Sequence, residues 1–340
     1  MVAVEPTDNV ASPEVPSLAD IDAANERIAP HILATPVLTD DQLDEQLGAS
    51  LFFKAEGLQP PGAFKVRGAT NAVFSLSDDR AANGVITHSS GNHGAALAYA
   101  AGRRGIPCQV VMPTNAPSVK KAAVASYGAE IIECEPAASA RQATMEEVRA
   151  VSGAEFVHPY DDPRVVAGQA TCARELLDQV DGLDVVLAPI GGGGLVSGTC
   201  LTVAAVAPTV DVVAAEPEQA DDAARSLEAG RLIADDAPVT IADGLKTPLG
   251  PLTWHIVSRH VAAILTVSEQ EIVEAMRLAW ERLRIVVEPS SAVAIAAVRR
   301  HPERFAGRRV GVILSGGNVD LDRLPWATDT GAGAGPTTGS

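Results

Sequence analysis

The stretch Val185-Val-Leu-Ala-Pro-Ile-Gly-Gly-Gly-Gly-Leu195 decides the fold. It opens on four uninterrupted apolar residues, as a strand buried on both faces requires. Four glycines then end the strand, and an apolar run to about residue 206 has the length of a helix. Strand, glycine turn and helix together make half of a parallel crossover. The same alternation recurs outward in both directions. Strand-like runs lie at 51–53, 85–87, 108–112, 131–132, 211–215, 262–267 and 309–314. Between them fall helical patterns at 18–33, 66–76, 92–104, 119–127, 139–151, 164–180, 268–283 and 291–300. Ser17 is placed to cap the first helix, and Asp40-Asp41 start a short one that Gly48 ends. The fold class is therefore α/β, with parallel strands and two lobes.

Composition narrows the function. At 340 residues the chain is long for one hydrophobic core, and 46% apolar residues is the share of an ordinary globular protein. No apolar run reaches membrane-spanning length, and no basic segment precedes an apolar one at the N-terminus. A soluble, cytoplasmic protein with no membrane partner is expected. The net charge of -17 argues against nucleic acid as a partner. Cys108, Cys134, Cys172 and Cys200 stand far apart in apolar surroundings, which reads as buried free thiols. Residues 1–17 and 327–340 read as disordered tails.

Four polar corners fall at strand ends, where open α/β sheets form their binding crevice. In Gln59-Pro-Pro-Gly-Ala-Phe-Lys65-Val-Arg67, prolines and a glycine stop a strand and a lysine follows at a helix start. Desolvation there makes an amine nucleophilic. Taken alone, Lys65 and Arg67 read first as solvated charges at a helix start, a reading that yields only when the other corners are added. Gly191 to Gly194 let backbone N–H groups converge on an anion, with the helix dipole adding positive potential. The spacing is neither GxGxxG nor a P-loop. Ser89-Ser-Gly-Asn-His-Gly94 offers hydroxyls, an amide and free N–H groups to a carboxylate or phenolic oxygen, and Ser315-Gly-Gly-Asn318 makes the fourth corner. The acid run from Glu216 to Asp222 reads as a solvated face or as ligands for a hard cation.

Taken in order and at this spacing, these motifs resemble the serine/threonine dehydratase family, pyridoxal-phosphate enzymes of fold type II that include the serine racemases. The likeness runs from about residue 18 to 323. It implies two open, mostly parallel sheets with flanking helices, as in the tryptophan synthase beta subunit, and an active site between the lobes. Residues 18–83 with 161–326 would form the large cofactor-binding domain, and 84–160 the small one. The resemblance implies that Lys65 forms the Schiff base with pyridoxal 5'-phosphate beside Phe64. It also implies that Gly191, Gly192, Gly193, Gly194 and Leu195 hold the phosphate, Asn92 the ring oxygen and Ser315 the ring nitrogen. Ser89, Ser90, Gly91, Asn92 and His93 would hold the substrate carboxylate, with Gly244 beside it. Ser90 would be the second catalytic group, on the face of Cα opposite Lys65. Glu216, the Ala220 carbonyl and Asp222 would bind Mg²⁺ or Ca²⁺, with Mn²⁺ a further option. The implied activity is dehydration of L-threonine and L-serine to the 2-oxo acid and ammonia, by a homodimer that takes only small amino acids. Arg141 reads as an exposed helix arginine or, by resemblance, as the arginine that approaches a second carboxylate in serine racemases. The latter leaves hydroxyaspartate dehydration as an alternative, and the Ser90 loop leaves racemisation as another. No C-terminal regulatory domain is expected.

Overall fold

The structure, a computed structural model, describes residues 13–89, 91–234 and 238–326. Ser90 and residues 1–12 and 327–340 of the expected tails lie outside the described residues. In chain order the strands are β1 (Val37–Leu38), β2 (Ser50–Ala55), β3 (Val85–His88), β4 (Cys108–Pro113) and β5 (Glu130–Cys134). They continue with β6 (Glu155–Phe156), β7 (Val185–Pro189), β8 (Asp211–Pro217), β9 (Ala263–Val267) and β10 (Arg309–Leu314). Among the described residues they form a six-stranded sheet, β1-β2-β10-β7-β8-β9, and a four-stranded sheet, β5-β4-β3-β6. Every pair is parallel except β1 with β2. β2 and β10 run in register from Ser50 beside Arg309 to Ala55 beside Leu314, so the chain's two ends meet in the larger sheet.

Both faces of that sheet are covered, which explains strands that read as continuous apolar runs. Leu187, Val213, Val310 and Val312 pack on one side under the Pro289–Arg300 helix. Val186, Val212 and Ile313 face the other side, against the Pro163–Gln179 and Gly194–Val206 helices. Each fully buried valine, leucine or isoleucine contributes about 1.5–3 kcal/mol. On that second side helices meet backbone to backbone. A Cβ on Gly198 would lie 2.5 Å from the Ala170 nitrogen, and one on Gly168 would lie 2.6 Å from the Gly68 Cα. A methyl group at either position would part the helices that carry Lys65 and the glycine turn.

An ion network ties the start of the Lys65–Phe74 helix to the sheet. Arg67 Nε and Nη2 donate to the two carboxylate oxygens of Glu56, each at 2.7 Å, and Nη1 donates to Glu175 at 3.1 Å. Lys54 also pairs with Glu175 and donates to the Thr35 carbonyl at 2.7 Å. Arg67, Glu56 and Lys54 are wholly buried, so the solvated reading of Arg67 was wrong. Burial opposes the charge on Glu56, yet Arg67 outweighs it and holds the carboxyl below its usual range. The four cysteines are buried and free. No helix among the described residues is long and apolar enough to cross a membrane.

Some elements differ from the sequence reading. The first helix stops at Ile28, because Pro30 supplies no donor to carry it on. The 268–283 pattern is α-helical over Glu269–Leu278, then passes into a π turn and a left-handed Arg284 with φ 59°. The Pro251–His260 helix and the two-residue strands β1 and β6 showed no periodicity to read.

Candidate active site

Lys65 follows directly on the Pro60-Pro61-Gly62 turn. Gly62 takes φ +77°, and a Cβ there would fall 2.1 Å from Asn318 Oδ1. Lys65 Nζ donates to the Pro159 carbonyl at 2.9 Å and lies 5.2 Å from the centre of the Phe64 ring. Burial lowers its pKa to about 8, against the pull of the Glu288 charge. An appreciable fraction of the amine is therefore unprotonated near neutrality. Because β2 and β10 are neighbours, the corners that follow them are joined. Phe64 N donates to the Ser315 carbonyl at 2.9 Å, and Ala63 bridges Gly316. Ser315 is buried there.

Asn92 opens the Asn92–Arg104 helix after β3. Its Nδ2 lies 2.8 and 3.0 Å from the two carboxylate oxygens of Glu288, and its Oδ1 accepts from Asn318 Nδ2 at 3.0 Å. Asn318 Nδ2 also donates to the Pro61 carbonyl at 2.7 Å. Glu288 is buried at the N-cap of the Pro289–Arg300 helix. Burial pushes its pKa up to about 7, although the Asn92 hydrogen bond works the other way.

After β7, Gly193 takes φ +85° and caps the Gly194–Val206 helix, whose first turn includes Leu195. A Cβ on Gly193 would lie 2.5 Å from Leu249 Cδ2, and one on Gly192 would lie 2.4 Å from the Tyr160 ring. Gly191 sits against the Gly244–Leu245 backbone. Residues 158–161 thus span from Lys65 to the glycine turn. His158 Nδ1 accepts from the Asp161 N–H at 2.8 Å, and Asp161 Oδ1 accepts from the Leu252 and Thr253 N–H groups at 3.0 and 3.1 Å.

The remaining walls carry imidazoles and one guanidinium. His93 is buried, with Nε2 3.2 Å from the Val157 carbonyl. Burial first and the Lys65 charge second hold it well below the usual imidazole range. Burial, helped by His88, takes His158 to about 4, and burial with Arg141 lowers His88. These rings are neutral at neutral pH. Arg141, on the Ala138–Ser152 helix, bears electrostatically on both His88 and Tyr160. Its Nε is buried without a hydrogen-bond partner, and no acid among the described residues pairs with it. Gly244 N donates to Ser290 Oγ at 3.0 Å, and Ser89 Oγ accepts from the Gly91 N–H at 3.3 Å. Lys120, on the Ser118–Ser126 helix beside the smaller sheet, pairs with Asp243 next to Gly244.

Comparison with known proteins decides the family. The model for pyridoxal-phosphate dependent enzymes matches residues 28–316. The chain belongs to the pyridoxal-phosphate dependent enzymes. Among its relatives in this family is the beta-hydroxyaspartate dehydratase of Paracoccus denitrificans, 63% identical over 92% of this chain and 99% of that protein. The L-threo-3-hydroxyaspartate ammonia-lyase of Saccharomyces cerevisiae is 43% identical over 91% and 95% of the two chains. The solved structure of maize serine racemase aligns with a TM-score of 0.89 at 42% identity, covering 91% and 95%. The fold is fold type II.

The residues present fit pyridoxal phosphate. Among the described residues the desolvated amine has one partner, a carbonyl. A glycine turn closed by Tyr160 and Leu249 excludes side chains, so that only backbone groups are left there to meet a phosphate. Lys65, Phe64, Asn92 and Ser315 come together through the β2 and β10 corners, whereas Gly191 to Gly194 join them through residues 158–161. Glu216 on β8 and Asp222 just after it are 1% and 4% exposed, beside the buried Ala220, and Asp222 bears electrostatically on Tyr160. Burial raises Glu216 to about 8; its bond from the Ala224 N–H opposes this, and Asp222 adds to the rise. Two neighbouring buried carboxyls beside a carbonyl suit a hard cation. Sequence reasoning missed Glu288, Tyr160 and Asn318 as parts of the site. Asn318 stood within a quoted motif, but Glu288 lies in no motif and ahead of the helix expected at 291–300.

Proposed function

We propose that this pyridoxal-phosphate enzyme is an ammonia-lyase that dehydrates 3-hydroxyaspartate to oxaloacetate and ammonia. The observation that carries this reading is Arg141, an arginine with an orphaned buried Nε and no acidic partner among the described residues. A second substrate carboxylate supplies that partner with a planar, bidentate match. L-Threonine and L-serine, placed first on sequence grounds, offer Arg141 only a methyl group or a hydrogen. The two hydroxyaspartate-acting relatives support the same choice.

When bound, pyridoxal phosphate stores the electron pair left at Cα. The chain's own residues do the rest. The Ser89 to His93 loop and its N–H groups hold the α-carboxylate. Arg141 orients the β-carboxylate, fixing the substrate on two sides of the reacting carbons. Lys65 Nζ takes the Cα proton, the Cβ–O bond breaks, and the leaving hydroxyl takes up that proton to depart as water. Neutral His93 and His158 place no competing charge beside the amine. The released enamine becomes an imine, and water hydrolyses it to oxaloacetate and ammonia. Glu216, the Ala220 carbonyl and Asp222 would hold a divalent cation that supports the fold.

Purified protein incubated with each stereoisomer of 3-hydroxyaspartate, L-threonine and L-serine, with ammonia and 2-oxo acid measured, tests the reading. A hydroxyaspartate isomer should give the highest kcat/KM. Arg141→Met should raise its KM at least about tenfold and leave L-serine dehydration near its starting level. Equal losses on both substrates would remove Arg141 from substrate recognition.

A further inference from the structure

We infer that Glu288 is a positioning residue that, through Asn92, fixes and polarises the N–H presented to the ring oxygen of pyridoxal phosphate. The inference rests on Asn92 facing that oxygen, as the family resemblance implies. Three contacts leave the Asn92 amide one orientation. Its Nδ2 meets both Glu288 oxygens at 2.8 and 3.0 Å, and its Oδ1 meets Asn318 Nδ2 at 3.0 Å. Asn318 is itself oriented by the Pro61 carbonyl at 2.7 Å. Turning the Asn92 amide over would set oxygen against carboxylate and NH2 against NH2.

The two oxygens of one carboxylate subtend a narrow angle at Nδ2, so a single N–H forks onto both. The second N–H points away at the fixed angle of a planar amide, free for another acceptor. A charge-assisted fork draws electron density from the amide and strengthens that second donor. Protonation of Glu288 turns one acceptor into a donor and undoes the fork. The seat of Glu288 is closed, since a Cβ on Gly316 would lie 2.6 Å from its Oε1. The charged and titratable groups that face it are Lys65, Asp243 and Lys120, and the Asn318 backbone N–H donates to it. Lys120 and Asp243 are paired with each other. Burial places the Glu288 titration in the neutral range, at about 7.

The test uses wild type, Glu288→Gln, Glu288→Asp and Asn92→Ala, each reconstituted with pyridoxal phosphate. The visible absorption band is followed across pH, and cofactor retention is measured by ultrafiltration. In the wild type the band should shift with a midpoint in the neutral range. Glu288→Gln should hold the cofactor about tenfold more weakly and show no shift over that range. Glu288→Asp should restore a shift at a displaced midpoint. An unchanged titration in Glu288→Gln, beside a band moved by Asn92→Ala, overturns the role of Glu288 while leaving Asn92 in place. A band that Asn92→Ala does not move overturns both. Should Glu288→Gln fail to fold, Glu288→Asp with the wild-type midpoint overturns the inference.

Discussion

At Lys65 the decisive quantity is the fraction of uncharged amine. Burial lowers its pKa from the ordinary lysine value to about 8, so below that value most molecules carry an ammonium that cannot attack an aldehyde. Covalent capture of pyridoxal phosphate by apoprotein should therefore speed up about tenfold per pH unit below 8 and level off above it. Stopped-flow absorbance across pH measures this, and a midpoint near the ordinary lysine value would contradict the desolvated site. Lys65→Ala should capture no cofactor covalently. Lys65 was legible because its neighbours form a motif of fixed order. Glu288 was not, because what makes it part of the site is contact with Asn92, 196 positions away. No local pattern records that distance.

The elements around the site are held by buried charge as well as by apolar packing. Arg67 sits two residues after Lys65, and its fork onto Glu56 is closed to water on both sides. Removing one partner of such a pair strands the other charge in a medium that cannot solvate it. Glu56→Gln should cost about 3–5 kcal/mol in denaturant unfolding, whereas an exposed pair such as Arg277 with Glu281 should contribute less than about 1 kcal/mol. A Glu56→Gln loss below that exposed value would show that water reaches the network. At this scale most strands were readable, since a strand buried on both faces writes a continuous apolar run. β1 and β6 were too short to carry a period, and the Pro251–His260 helix follows a proline- and glycine-rich stretch that reads as loop. Two mostly parallel sheets were expected from alternation and family likeness together, but the strand order of each comes from the structure alone. Only the structure shows β2 between β1 and β10.

For the molecule as a whole, the proposed cation site on β8 links binding to stability. A divalent ion held only by the folded chain adds about 2.7 kcal/mol at a hundredfold excess over its Kd. Chelator should lower the melting temperature and Mg²⁺ should restore it, while Asp222→Ala should show neither response in thermal scans. A chelator response that survives in Asp222→Ala would place the ion elsewhere. The turn before Lys65 is also tied to the end of the Ser118–Ser126 helix, where the Tyr127 hydroxyl donates to the Pro60 carbonyl at 3.0 Å. The pairing of β2 with β10 has a consequence for how the chain is made. A ribosome adding about 5–20 residues per second delivers β2 tens of seconds before Arg309 appears. Over that interval β3 to β6, which lie close together in the chain, can assemble, but β2 waits with one edge open and Leu51 and Phe53 without their final neighbours. The nascent chain is exposed to wrong pairings longest at the strand that leads to Lys65, and the cofactor lysine is among the last groups to reach its place.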